Sequence, residues 1–129
     1  MTQARSLVKM DALCLKPEMP IERAIELMQQ NDVTSAPVLS DNYTVAGILT
    51  ESDIIRMFID PENSGKEGTT VKDFMTKDVI TEQIDSDISK VSQCLLDHHF
   101  GQVPIVYNDK FVGIISRKDL LKFMMGPDG

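Results

Sequence analysis

The sequence predicts an α/β fold of the α+β kind, in which one short unit with the order strand–helix–strand–strand–helix occurs twice. Three observations predict it. The joint Gly47-Ile48-Leu49-Thr50-Glu51-Ser52-Asp53 returns sixty-six positions later as Gly113-Ile114-Ile115-Ser116-Arg117-Lys118-Asp119. Each joint reads as a buried strand stopped by a hydroxyl residue, with a carboxylate three residues on and an apolar helix after it. The surroundings repeat as well: Ile21 matches Ile88, Met28 matches Leu95 and Pro37 matches Pro104 at an offset of 67. The first hairpin is one residue longer, which accounts for the difference between the two offsets.

Taken in order, residues 1–12 show little period, and Leu13-Cys14-Leu15 reads as a short strand. Pro20 suits a helix start, where its missing N–H does no harm. Ile21, Ala24, Ile25 and Met28 fall at i, i+3, i+4 and i+7, one face of a helix running to about Asn31. Pro37–Leu39 and Val45–Leu49 are strands joined by a turn at Ser40–Tyr43, and a helix follows from Ser52 to Ile59. Residues 60–68 are polar and carry Pro61, Gly65 and Gly68, the composition of a linker. The order then returns. Val79-Ile80 is the strand, Asp85-Ser86-Asp87 the cap, and Ile88 to His98 the helix. Pro104–Val106 and Phe111–Ile115 flank a turn at Tyr107–Lys110, and Leu120–Met125 is the last helix. The divisions expected are a first repeat at 1–60, a linker at 61–70, a second repeat at 71–125 and a tail at 126–129, the two repeats forming one module. Two repeats are too few for a solenoid, and either half alone has a marginal core.

The totals exclude several classes. A net charge of −7, with no run of Lys and Arg longer than two, argues against a nucleic-acid partner. Cys14 and Cys94 are far apart, as expected of buried small residues in a reducing compartment, and no metal site is expected. The adjacent pair His98-His99 points in two directions on a helix and reads as solvent exposure or a helix-end contact. The opening residues have no secretory apolar segment, and no apolar run reaches the roughly 18 residues of a membrane span. The cytoplasm is the expected location, without membrane insertion. No catalytic residues are expected, because there is no Ser/His/Asp order, Walker loop or Rossmann fingerprint.

The two joints and their hairpins, together with Val71-Lys72-Asp73-Phe74-Met75-Thr76-Lys77-Asp78-Val79-Ile80-Thr81, resemble the CBS domain, named after cystathionine β-synthase. The resemblance covers about residues 7–125, with Val8–Leu13 standing as the first repeat's weaker opening. It implies a tandem pair, or Bateman module, whose two sheets face each other under covering helices. It also implies a regulatory role without chemistry, in which AMP, ADP, ATP or S-adenosylmethionine binds in clefts between the repeats. No cofactor is required, and such modules act in energy sensing on a regulated protein partner. Carried over, Asp119, Ser116 and Ile114, with Arg117 and Lys118 near the phosphate, face Thr34-Ser35-Ala36-Pro37 and Leu13-Cys14. Asp53, Thr50 and Ile48 face Gly101-Gln102-Val103-Pro104 and Val79-Ile80. One member of that family, the nucleotide-sensing subunit of AMP-activated kinase, carries basic residues just before its hairpin, where this chain has Thr34-Ser35 and Gly101-Gln102.

A physical case stands beside the resemblance. A carboxylate offers two acceptors to the two hydroxyls of a ribose. Hydroxyls and free N–H groups at a helix start can hold phosphate, and an unpaired strand edge can read adenine. The competing explanation is a capping box, in which Ser/Thr and the acidic N3 residue serve only the helix. Arg117-Lys118 against Glu51-Ser52 favours the Asp119 site for an anion. The helices at Ile54–Ile59 and Leu120–Met125 are apolar on most sides, so a homodimer through them is expected. A ligand-free dimerisation or interaction module, part of or partner to a transporter or enzyme, is the alternative.

Overall fold

The computed structural model describes residues 1–60, 62 and 69–126. Most of the linker expected at 61–70 and residues 127–129 of the expected tail lie outside that range. The chain separates into two compact units, Leu13–Val79 and Met1–Ala12 with the residues from Ile80 onward.

In the first unit, α1 (Ile21–Gln30) follows Pro20 and buries Ile21, Ala24 and Met28. The stripe expected from spacing is the stripe that packs. β1 (Ser35–Leu39) and β2 (Val45–Thr50) pair antiparallel, with Pro37 opposite Ile48. α2 (Glu51–Ile59) leaves the end of β2 directly. Single residues complete both sheet edges. Leu15 lies parallel to Val38, its N–H donating to the Pro37 carbonyl at 2.9 Å. Thr76 and Ile48 exchange two backbone hydrogen bonds of 2.8 and 2.9 Å. Leu15, Ala36, Val38, Leu49 and Val71 join the α1 residues in the core.

In the second unit, β3 (Glu82–Gln83) runs parallel to β4 (Gln102–Tyr107), with α3 (Ile88–Asp97) between them in sequence. β5 (Lys110–Ser116) returns antiparallel through Asn108-Asp109, whose φ angles of 50° and 63° are the left-handed pair of a tight hairpin turn. α4 (Arg117–Met124) completes the unit. Lys9 and Ile114 exchange backbone hydrogen bonds at the far edge, matching Thr76 and Ile48. Ala4, Val91, Cys94, Leu95, Val103, Ile105 and Ile115 form this core.

Three expectations are corrected. The strand at Val79-Ile80 is not formed; pairing begins at Glu82, and Ile80 is exposed. Apolar character drew the reading to the wrong pair, because the residue that enters the sheet carries a carboxylate. Of Leu13-Cys14-Leu15, only Leu15 is bridged to a strand. The first repeat opens at Ala4 rather than Val8: single 3-10 turns at Ala4–Ser6 and Val71–Asp73 correspond at the offset of 67, with Ala4 and Val71 both fully buried. A three-residue turn is too short to show a period. Each opening also explains a glycine. A Cβ on Gly47 would lie 2.7 Å from the Thr76 carbonyl oxygen, and one on Gly113 would lie closer still to that of Lys9. Only glycine lets the crossing backbone approach this closely.

Candidate ligand-binding corners

Both strand-to-helix corners are capping boxes, and they differ in what remains after capping. At the first, the Thr50 hydroxyl accepts from the Asp53 N–H at 3.1 Å, and Asp53 Oδ2 accepts from the Thr50 N–H at 3.0 Å. Asp53 Oδ1 accepts from Arg56 Nη1 at 3.0 Å, and the Thr76 hydroxyl donates to the carboxylate at 3.2 and 3.3 Å. Asp53 is 5% exposed, and both its oxygens are engaged by its own unit.

At the second corner, Ser116 Oγ accepts from the Asp119 N–H at 3.1 Å and donates to Asp119 Oδ2 at 2.8 Å. The Ser116 N–H reaches that same oxygen only at 3.5 Å. Asp119 Oδ1 has no hydrogen-bond partner among the described residues, and the residue is half-buried. The matched positions account for the difference. Lys9 stands where the first corner has Thr76, and Lys122 stands where it has Arg56; neither bonds Asp119 among the described residues. Asp119 instead lines an open groove with Ser6, Leu7, Lys122, Phe123 and Gly126.

The other expected site residues divide by how far their polar groups are already used. Arg117 donates from Nη2 to the Leu95 carbonyl at 2.9 Å, where a cation complements the C-terminal end of α3. Its N–H donates to the Gly101 carbonyl at 3.1 Å, as the Glu51 N–H does to Thr34 at 2.9 Å. Each hairpin entry is therefore tied to the corner of its own unit, with Ser35 opposite Thr50 and Gln102 opposite Ser116. Lys118 is exposed and has no ion-pair partner among the described residues. Ile48 and Ile114, expected to face the ligand, spend their backbone groups on Thr76 and Lys9, so they offer no unpaired edge for adenine. Ala36, Pro37, Val103 and Pro104 are buried strand residues. Leu13 packs on the first core and Cys14 is half-buried; Val79 and Ile80 lie outside any strand.

Sequence reasoning missed two features. Thr70-Val71-Lys72-Asp73 is a third capping box, with the Thr70 N–H on Asp73 Oδ2 at 2.9 Å. The same spacing had no strand before it to draw attention. Glu82 is 8% exposed, and its Oε2 has only Lys90 Nζ, 3.8 Å away, and no hydrogen bond. It occupies the position of Leu15 in the other unit. Burial pushes the Cys94 thiol up, and Glu82 and Asp97 raise it further. Cys14 is raised by burial, with Lys16 opposing. Neither thiol is activated as a nucleophile. Among the described residues, no cluster of three or more His, Cys, Asp or Glu could hold a metal, and no helix is long and apolar enough to cross a membrane.

The CBS domain family model matches residues 4–60 and 71–126. An uncharacterized protein of Methanocaldococcus jannaschii is 28% identical over 124 residues, covering 96% of this chain and 43% of that protein. The chain spans less than half the length of the first curated relatives it matches. The structure of CBSX2 in complex with AMP superposes with a TM-score of 0.88 at 22% identity, over the whole of both chains. The CBS domain pair of protein MJ0100, in complex with 5′-methylthioadenosine and S-adenosyl-L-methionine, gives 0.82 at 20% identity over 98% of each. These two likenesses are of fold.

Proposed function

The chain belongs to the CBS domain family, with two copies in tandem, and from that premise we propose that it is a non-catalytic regulatory module binding an adenosyl ligand at the Asp119 corner. The observation that carries this reading is the uneven use of the two carboxylates. Asp53 is saturated by Thr50, Arg56 and Thr76, whereas Asp119 keeps one oxygen available beside an open groove. A carboxylate steadied through one oxygen is prepared to accept a ribose hydroxyl through the other. Structures of the same fold hold AMP in one case and 5′-methylthioadenosine with S-adenosyl-L-methionine in another, and adenosine is the part those ligands share.

Phosphate is the weaker half of the recognition. Ser116 spends its hydroxyl hydrogen on Asp119, and Arg117 is held by the Leu95 carbonyl. Lys118 and Lys122 remain as cations near the corner, in a chain of net charge −7. AMP and S-adenosylmethionine therefore suit the corner better than ATP. We assign the regulated partner to another polypeptide or domain, and place the module in the cytoplasm as a homodimer through α2 and α4. Ile55, Phe58, Ile59, Leu121, Met124 and Met125 are all exposed there.

A thermal-shift series with AMP, ATP and S-adenosylmethionine tests the reading. A ligand at a hundredfold excess over Kd stabilises the fold by about 2.7 kcal/mol. The wild type and Asp53→Asn should shift with AMP or S-adenosylmethionine, and Asp119→Asn, which can still cap α4, should not. No shift with any of the three would leave the ligand-free interaction module, the reading that the saturated Asp53 corner favours.

A further inference from the structure

Beside each corner, the two units treat the end of their first helix differently. In the first unit a hollow of about 160 Å³ opens between α1 and α2. Ile25, Val33, Ile54 and Ile55 wall it, and Met28 and Glu51 line it as well. The positions matched to Met28 and Glu51 in the second unit are Leu95 and Arg117. There the Arg117 side chain spans the gap, donating from Nη2 to the Leu95 carbonyl at 2.9 Å. The second unit thus seats an arginine of its own where the first has a hollow and a carboxylate.

Size, charge and lining agree on what the hollow takes. It is smaller than the roughly 300 Å³ at which small-molecule sites begin, so a single side chain suits it and a nucleotide does not. Glu51 is exposed and has no ion-pair partner among the described residues. The arginines of this unit are already committed, Arg23 to Glu26 and Arg56 to Asp53. The carbonyls that end α1 favour a cation, as those of α3 do for Arg117. Apolar walls suit the stem of a long cationic side chain. A planar guanidinium, less strongly hydrated than an ammonium and carrying several donors, can serve a carboxylate and a carbonyl together.

We infer that the hollow between α1 and α2 is a docking site for an arginine flanked by apolar residues on the regulated partner polypeptide. Glu51 pairs with the guanidinium, and Ile25, Val33 and Ile54 hold the stem. Of the exposed apolar residues of α2, Phe58 and Ile59 lie outside the hollow and Ile55 borders it. The inference rests on the regulated-partner reading above and is independent of the ligand at Asp119.

The probe is a blocked pentapeptide, Ala-Leu-Arg-Leu-Ala, set against the same peptide with citrulline, which keeps the shape and loses the charge. Amide chemical shifts of Val33 and Ile54 are the readout. The arginine peptide should saturate these shifts at millimolar concentration. The citrulline peptide should bind at least about threefold more weakly, the measure of a part-exposed ion pair. Glu51→Gln should weaken the arginine peptide by a similar factor. Glu51→Arg copies Arg117, and should seat its own side chain in the hollow and abolish binding. Circular dichroism checks that both variants fold. Both should also keep whatever thermal response to AMP the wild type shows, so failure of docking and failure of the ligand reading are read separately. No shift at Val33 and Ile54, equal binding of the two peptides, or undiminished binding to either variant overturns the inference. The same shifts appearing with protein concentration alone, without peptide, would put a second copy in the hollow and overturn the partner assignment.

Discussion

Asp53 and Asp119 hold matched positions, yet removing each carboxylate has a different consequence. Asp53→Ala removes a carboxylate that is 5% exposed and leaves the half-buried Thr76 hydroxyl and Thr50 N–H without their acceptor, while Arg56, largely exposed, turns to water. Losing these part-buried hydrogen bonds to a charged acceptor costs about 1–3 kcal/mol, which urea denaturation would measure. Asp119→Ala loses a half-exposed cap, for which about 1 kcal/mol is expected, and in addition loses the ligand response. A ligand response lost with Asp53→Ala but kept with Asp119→Ala would reverse the assignment of the corners. The Thr/Ser-x-x-Asp spacing was legible in the sequence, and the sequence favoured the Asp119 side through Arg117 and Lys118. Our proposal keeps that preference on other grounds, because Arg117 is turned to Leu95 and what separates the corners is Thr76 and Arg56 against Lys9 and Lys122. Those partners lie on other elements or a turn away, and no local motif announces them.

Helices with an amphipathic stripe were legible because periodicity survives without tertiary information: Ile21, Ala24 and Met28 are buried as spacing requires. The short edge pieces were not, since one or two paired residues have no period. Three predictions belong at this scale. Gly113→Ala places a Cβ against the Lys9 carbonyl and should cost about 1–3 kcal/mol by overpacking. Gly101 has open space around it, so Gly101→Ala should cost only its φ of +78°, about 1 kcal/mol. Equal costs at the two sites in denaturant melts would remove the close-approach explanation. Glu82→Leu copies Leu15 from the matched edge and removes a buried carboxylate without a hydrogen bond on Oε2. It should raise stability by about 1 kcal/mol or more, as replacing a poorly satisfied buried ion often does; a lower melting temperature would contradict this. At the start of α3, the Ser89 N–H and then its hydroxyl hold the Asp87 carboxyl below its ordinary value of 3.8. The native acid then binds its proton less readily than the unfolded one. Its contribution is complete above the unfolded value and lost as pH falls through the native one. The stability advantage of wild type over Asp87→Asn should therefore shrink on acidification, and a gap constant with pH would count against the linkage.

The duplication was legible across the whole chain, and the family model places its two matches at 4–60 and 71–126. The compact units are cut differently, at Ala12/Leu13 and Val79/Ile80. The reason is that each repeat's opening turn packs on the sheet of the other repeat: Ala4 and Lys9 serve β5 and its core, Val71 and Thr76 serve β2 and its core. A linear reading assigns a segment to its neighbours in sequence and cannot see that exchange, except through Gly47 and Gly113, which hold open the space for a crossing backbone. Fragments distinguish the two divisions. Residues 13–79 contain an uninterrupted unit with Leu15, the β1–β2 hairpin, Val71 and the Thr76 edge. Residues 1–60 lack Val71, Phe74, Met75 and the partner of Ile48, and keep an opening turn whose own sheet is missing. The 13–79 fragment should show a cooperative, if modest, thermal transition, as domains near this size are marginal, with slow amide exchange at Ile48. The 1–60 fragment should melt without cooperativity and exchange freely there. Cooperative folding of 1–60 together with failure of 13–79 would mean that the repeats, and not the exchanged units, are what the chain folds by.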